Sequence, residues 1–379
     1  PDHLPDRVEG DVDALVGVLV RRGHRHPGDH VLQRHPQRIG ILRILPGLGP
    51  VVAQHAARLA GERSAPYGVP AGGVDVGLLL DRGVLGLLDH QPLRSGPRAL
   101  RPEERAYIAE PFRDIPETGR LTGRGGEANL ERVLQIRPDL IVDFGSVRDT
   151  YIDLADRVQA QTGIPYLLID GRFENPPQAL RLLGEALGVP DRGEALAADA
   201  EARFASIDAL LSEIPEEARP RVYLARGPDG LETGMKGSIN TETIERAGGR
   251  NVADDGGATL GLVRASMEQV IVANPDLVVT WDRTFFDRVW EDPLWQGVDA
   301  VQKRRVYLSP TAPFGWIDRP PSLNRMMGLT WMAGLMYPDR WPGELRKEAR
   351  EFYAQWYHVD LSEDALDRLL EWAEGRPPE

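Results

Sequence analysis

From residue 98 onward the apolar positions switch repeatedly between helical spacing and short unbroken runs. In "NLERVLQI" (129–136), Leu130, Val133 and Leu134 fall on one helical face, Arg137-Pro138-Asp139 ends the pattern, and "LIVDFG" follows as a short buried strand. "SVRDTYIDLADRVQAQTG" then reads as an amphipathic helix stopped by Gly163, and "IPYLLID" as a second strand. "PPQALRLLGEALG" is a helix opened by proline, a residue tolerated in a first turn. Strands separated by helices favour a parallel sheet, so 98–190 is predicted to be one β/α lobe.

"RGEALAADAEARFASIDALLSEIP" contains strong helix formers with no Pro or Gly between Gly193 and its end. A helix over 191–214 would span roughly 30 Å, suited to a strut between lobes. A second lobe over 215–379 opens with the strand "RVYLAR" and a Gly-rich loop, "GPDGLETGMKGS", then a helix over 239–247. Another strand, "RVYLSP", and helices over 320–336, 343–356 and 361–374 close it. Within this half, "SMEQVIVANPDLVVTWD" (266–282) repeats "NLERVLQIRPDLIVDFG" (129–145), and in both copies a glutamate, Glu131 or Glu268, stands seven residues before Pro-Asp-Leu. The pattern predicts an α/β protein: two Rossmann-like lobes joined by a long α-helix, with the carboxyl ends of their strands facing across a cleft. Open α/β sheets bind ligands beyond those ends.

Residues 1–97 differ from the rest. They hold seven of the eight histidines and no Lys, Thr, Asn, Phe, Trp or Met. Apart from Ile39, Ile41, Ile44, Ser64, Tyr67 and Ser95, they use only the ten residue types with codons beginning in C or G. A GC-rich gene read out of frame has this composition, so the segment is expected to be out-of-frame translation or disordered. The histidines at 24, 26, 30 and 35 suggest a metal site only superficially, and no function is assigned to them.

Composition narrows the function. The chain of 379 residues carries a net charge of −13, with a pI near 5.2, which argues against a nucleic-acid partner. No apolar run reaches the roughly 18 residues of a membrane-spanning helix, and no basic-then-apolar leader opens the chain. With no cysteine, disulfides, thiolate metal sites and iron–sulfur clusters are excluded. No resident cofactor or metal is expected.

The paired N-L-E-x-V and P-D-L blocks, the linking helix and "ERAGGRN" resemble the helix-linked (class III) substrate-binding proteins of ABC importers, which serve ferric siderophores, haem, cobalamin and related metal species. The likeness covers about 98–375. "SPTAPFGWIDRPPSLNR" is similar to a subgroup for iron complexes, with relatives that take molybdate or tungstate. The resemblance implies a monomeric, periplasmic or extracytoplasmic protein that captures an iron chelate and delivers it to permease subunits. It also implies that Glu131 and Glu268 dock those subunits, although a glutamate near a helix start also favours the macrodipole. The family's first lobe begins with strands that 1–97 does not recognisably supply.

Candidate ligand groups come from the loops after strands: Arg148, Arg172, Arg226, Thr233, Lys236, Asp282, Arg283, Phe314, Trp316 and Arg319. Guanidinium forks would suit an anionic ligand; each one also fits an internal salt bridge, and Trp316 could equally pack against the next helix. "TGRGGEAN" (122–129) lacks the P-loop and dinucleotide patterns, so a tight turn or backbone donors lining the cleft fit it better. An α/β enzyme is the rival reading, but the chain lacks G-x-S-x-G and H-E-x-x-H, and His358 has no neighbouring catalytic partner in sequence. An interaction protein is a third, since all eight tryptophans fall after residue 280. The out-of-frame reading predicts that, upstream of codon 97, a different frame of the gene is open and protein-like. Comparing the three frames checks this; a present frame that alone stays open overturns it.

Overall fold

The computed structural model describes residues 100–375 except 111–112, 115–129, 132–133, 135–140, 146, 148, 188, 260 and 319–321, together with the backbone of Arg43–Ile44. Apart from those two residues, the segment 1–97, with its histidine cluster, lies outside the described residues.

In the first lobe, β1 (Arg43–Ile44), β2 (Ile141–Gly145) and β3 (Tyr166–Asp170) form a sheet in the order β1-β3-β2. β2 and β3 run parallel and β1 antiparallel to β3. The parallel pair is joined by α1 (Asp149–Thr162), which ends at Gly163 with φ +70°, the left-handed geometry a glycine supplies at a helix stop. α2 (Pro176–Ala186) begins with its two prolines, as the sequence predicts.

The strut is α3 (Pro190–Ser212), 23 residues long. It crosses α2 where Gly184 meets Gly193: a Cβ on Gly193 would stand 2.7 Å from the Leu180 carbonyl oxygen, so the two backbones touch. Further along, Asp199 accepts from the Trp356 indole at 3.0 Å and pairs with Arg203 at 2.8 Å, and Arg203 lies 5.5 Å over the Phe352 ring. The strut is therefore packed at its start on the first lobe and at its middle on a helix from the chain's end.

The second lobe is built on β4 (Arg221–Ala225), β6 (Arg250–Asn251), β8 (Leu277–Thr280) and β9 (Val306–Leu308), all parallel, in the order β6-β4-β8-β9. Every residue of β8 is buried, matching its unbroken apolar run. β5 (Glu232–Gly234) pairs antiparallel with β7 (Leu262–Arg264), a ladder inside what the pattern predicts to be Gly-rich loop. α4 (Glu242–Arg246) is shorter than the predicted 239–247. α5 (Met267–Ala273) opens with a Ser266–Gln269 capping box, and α6 (Arg283–Arg288) and α7 (Asp299–Gln302) are short. Then come α8 (Arg325–Met336), α9 (Leu345–Tyr357) and α10 (Glu363–Leu370). α8 is almost wholly buried, and its Gly328 allows the closest approach: a Cβ there would lie 1.8 Å from the Trp316 carbonyl oxygen.

One buried group ties the lobes together. The Arg325 side chain, 1% exposed, donates to the Gly171 carbonyl at 2.5 Å, the Ser322 carbonyl at 3.0 Å and the Glu242 carboxylate at 2.8 Å. Its guanidinium sits 4.7 Å over the Phe173 ring, while the Phe173 backbone N–H donates to the same Glu242 carboxylate at 3.0 Å. Gly171 and Phe173 follow β3; Glu242 starts α4; Arg325 starts α8. The bridge satisfies carbonyls and a carboxylate that a dry interlobe contact would otherwise leave unpaired.

A second buried charge lies within the first sheet. Asp143 of β2 accepts from the Tyr166 hydroxyl of β3 at 3.0 Å, but burial pushes its carboxyl up to about 6, the hydrogen bond offsetting only part of the desolvation.

Two predictions follow from these buried charges. Between about pH 4 and 6 the folded chain keeps a proton on Asp143 that the unfolded chain has released, so stability falls as pH rises through that window. Above it the penalty is complete, about 3 kcal/mol. Asp143→Asn should therefore be the more stable protein at pH 8 and converge with the wild type below about pH 4, as read by urea unfolding at the two pH values. Arg325→Met should cost about 3–5 kcal/mol, because Glu242 loses its cation. In a double-mutant cycle, adding Glu242→Met should recover part of that loss.

Candidate ligand cleft

The carboxyl ends of β3, β4 and β8 each carry charged or polar groups. At the end of β3, buried Asp170 holds Arg172 through two contacts of 2.8 and 2.5 Å and takes a further bond from Asn175 at 3.4 Å. Arg172 remains half exposed, with its guanidinium shifted further upward mainly by that hydrogen bond. Immediately after β4, Arg226 is held between Glu232 and Asp318, the latter at 2.9 Å, and lies 5.4 Å over the Trp281 ring. Asp318 is 1% exposed and also accepts from the Asn240 amide at 2.8 Å. Beyond β8, the buried Thr280 hydroxyl accepts from the Asp282 N–H at 3.0 Å, and the Asp282 carboxylate caps α6 through Phe285 N–H at 3.2 Å.

These contacts decide what each predicted residue does. Arg226 is a cation already compensated by two carboxylates, so an anion must compete with Glu232 to reach it. Lys236 pairs with Asp254 at 2.9 Å and faces a different cavity, of about 530 Å³, along the β6 edge with Arg219, Arg221 and Arg250. Asp282 spends its carboxylate on the helix cap. Arg283 pairs with Asp287 at 2.8 Å and lies 5.6 Å over Trp372. Phe314 and Trp316 are buried rather than walls of an open site: the Trp316 indole donates to the Tyr353 hydroxyl at 3.2 Å, and the Phe314 carbonyl accepts from Asn324 at 2.9 Å. Thr233 is buried within β5. Arg148 and Arg319 lie outside the described residues.

Of the predicted set, Arg172, Arg226 and Arg283 stand after β3, β4 and β8 in the described residues, and each is paired with its own acid. A cavity of about 310 Å³ opens at the carboxyl end of β9, lined by Ser309, Pro310, Arg283, Arg368 and Trp372 together with Pro102, Glu103, Ala106 and Tyr107. It is smaller than the β6-edge cavity, and it lies at the end of a parallel strand, where sheet geometry directs a ligand.

Sequence reasoning missed Arg325, Glu242, Asn240, Asp318 and Arg368. Arg325 and Asp318 sit inside the quoted "FGWIDRPPSLNR", so the stretch itself was the available signal. Their partners on other elements are 78 or more residues away, and nothing local announces those.

Glu131 and Glu268 are both exposed on helices. Hydrogen bonds from its own N–H and from the Ser266 hydroxyl hold the Glu268 carboxyl below the usual range. His358 is an exposed helix cap with φ +53°. None of the tryptophans is exposed: Trp295, Trp316, Trp331 and Trp356 are buried and the other four half-buried. Among the described residues no cluster of three metal-ligating side chains occurs, and no helix is long and apolar enough to cross a membrane.

Known proteins share this architecture. An ABC transporter solute binding protein from Sulfurospirillum deleyianum superposes with a TM-score of 0.72 at 27% identity, covering 82% of this chain and 97% of that one. An uncharacterized ABC transporter substrate-binding lipoprotein of Bacillus subtilis is 24% identical over 220 residues, 56% of this chain and 66% of its own length. A cobalamin-binding protein of Halobacterium salinarum is 32% identical over 167 residues, 42% of each chain. The matched stretches thus span from under half to about two thirds of these curated relatives. The periplasmic binding protein family matches residues 101–313. With that match over more than half its length, and two parallel-sheet lobes joined by a long helix, the chain belongs to the periplasmic binding protein family.

Proposed function

We propose that the chain is the extracytoplasmic solute-binding component of an ABC importer and that it captures an anionic, metal-containing ligand between its lobes for delivery to a permease. The observation that supports this reading is the junction of the lobes. Arg172 after β3 and Arg226 after β4 are each paired with carboxylates, and the buried Arg325 joins the segment after β3 to α4 and α8. Such a junction suits non-covalent capture with a small interlobe adjustment.

Within this reading the ligand is a ferric chelate. Arg172 and Arg226 would exchange Asp170 and Glu232 for ligand oxygens, a swap of one charge-assisted pair for another. A tetrahedral oxyanion, molybdate or tungstate, is favoured instead by one feature, the small cavity where Arg283 and Arg368 meet at the end of β9. Cobalamin enters as a candidate through the name of the Halobacterium salinarum relative. Residues 1–97 stand outside this assignment. Glu131 and Glu268, exposed at equivalent places in the repeat, would meet cationic groups on the permease, giving a two-point electrostatic register.

A thermal-shift panel of ferric catecholate, ferric hydroxamate, haem, cobalamin, molybdate and tungstate tests the ligand. A true ligand at 100 times its Kd should add about 2.7 kcal/mol of stability, an easily read rise in Tm. Arg226→Gln should then weaken that ligand at least tenfold, and silence across the whole panel would overturn the metal-ligand reading. Glu131→Ala with Glu268→Ala should leave the Tm shift intact while lowering uptake by membrane vesicles containing the importer; unchanged uptake removes the docking assignment.

A further inference from the structure

The internal repeat aligns more than the two glutamates. Matching "NLERVLQIRPDL" to "SMEQVIVANPDL" pairs Glu131 with Glu268 and Leu134 with Ile271. Leu134 and Ile271 are among the few large apolar side chains left in solvent, 45% and 41% exposed. A single exposed leucine needs no explanation. The same repeat position left exposed in both lobes does, because each helix already has an inward face to bury.

In α5 that inward face is Val270, 1% exposed in the core with Tyr223, Val278 and Trp295. At 100° per residue, Ile271 stands about 60° around the helix from Glu268 and Val272 about 40°, whereas Val270 points away. Acid and apolar side chains therefore share the outward face. The same three-residue spacing sets Glu131 beside Leu134, both in helical backbone. Among the described residues neither glutamate has an ion pair, so both carboxylates are free to meet a cation.

We propose that Leu134 and Ile271 are the apolar anchors of the permease-docking surface, each seating next to its glutamate against a permease loop that carries a cation flanked by apolar groups. The inference rests on the docking role given above to Glu131 and Glu268. The occupant is set by the chemistry shown twice. A partner answering both copies must present the same cation-plus-apolar loop twice, as a membrane component with two like subunits does. Mixed sites of this kind gain from excluding water around the ion pair, which rim charges alone do not achieve.

The two points are unequal. Beside Ile271 the second lobe also exposes Val272 at 85% and Leu294 at 62%, and Gly297, in the same turn as Leu294, lies against the Ile271 side chain. In the first lobe the position matching Val272 is Gln135. The second-lobe contact is therefore the larger, and Ile271 the more sensitive residue.

The test measures binding of the full chain to the importer's permease–ATPase complex in lipid nanodiscs at low and high salt. Leu134→Ser with Ile271→Ser should raise Kd at least tenfold with Tm unchanged and the salt dependence retained, Ile271→Ser alone having the larger share. Glu131→Ala with Glu268→Ala should raise Kd and flatten the salt dependence. Serine variants that bind within twofold of wild type while the alanine pair binds weakly would overturn the anchors and leave the docking glutamates standing. If neither pair changes Kd, both the anchors and the docking assignment fall. A Tm drop in Ile271→Ser would assign that residue to packing against Gly297, and Leu134→Ser together with Val272→Ser then reads the anchor role without it; normal binding by that pair would overturn the proposal.

Discussion

A single desolvated cation joins three elements at the junction of the lobes. Arg325 reaches from the start of α8 to a carbonyl after β3 and to the carboxylate that opens α4, and that same carboxylate takes the Phe173 N–H. A guanidinium is the side chain suited to this place, because its planar fork serves several acceptors at once and stacks on a ring without losing its charge. The bridge holds the segment after β3 against α4 and α8, so on the proposed reading it also bears on the width of the space open to a ligand.

Charge at that site is balanced before any ligand arrives. Arg172, Arg226 and Arg283 each carry an intramolecular carboxylate partner, and Arg226 carries two. Compensation keeps the empty cleft from concentrating positive charge in a low-dielectric gap. On the proposed reading, capture is then an exchange reaction, with ligand affinity set by the difference between two ion pairs rather than the strength of one. Selectivity then follows from how well a ligand's oxygens reproduce the geometry of the acid they displace.

Most of the elements were legible in the sequence because their signals are local. Pro-Asp turns precede β8, Gly163 stops α1, and paired prolines open α2; each acts within a few residues. The β5–β7 ladder was not, since its strands are three residues long, β5 being Glu-Thr-Gly and β7 Leu-Val-Arg, and find each other across a long loop. The candidate site divides the same way. The arginines, with an internal salt bridge as one reading of each, could be read from their positions after strands, and packing against the next helix was one reading of Trp316; the particular partners Asp318, Glu232 and Tyr353 could not. Asp143, embedded in an apolar run, looked like part of a strand and nothing more. Exposure of Leu134 and Ile271 was equally invisible, because helical spacing alone assigns an apolar residue to the core.

The packing of the strut has a consequence for the order in which the molecule can assemble. α3 is clasped midway by Trp356 and Phe352, and Tyr107, near the start of the described first lobe, donates to the Ala365 carbonyl at 2.9 Å. Both clasps are supplied by the last tenth of the chain. Because α9 and α10 follow both sheets in the chain, each lobe's sheet can form before these contacts are made. The two helices thus act as a clasp, closed from the second lobe onto the strut and onto Tyr107 of the first.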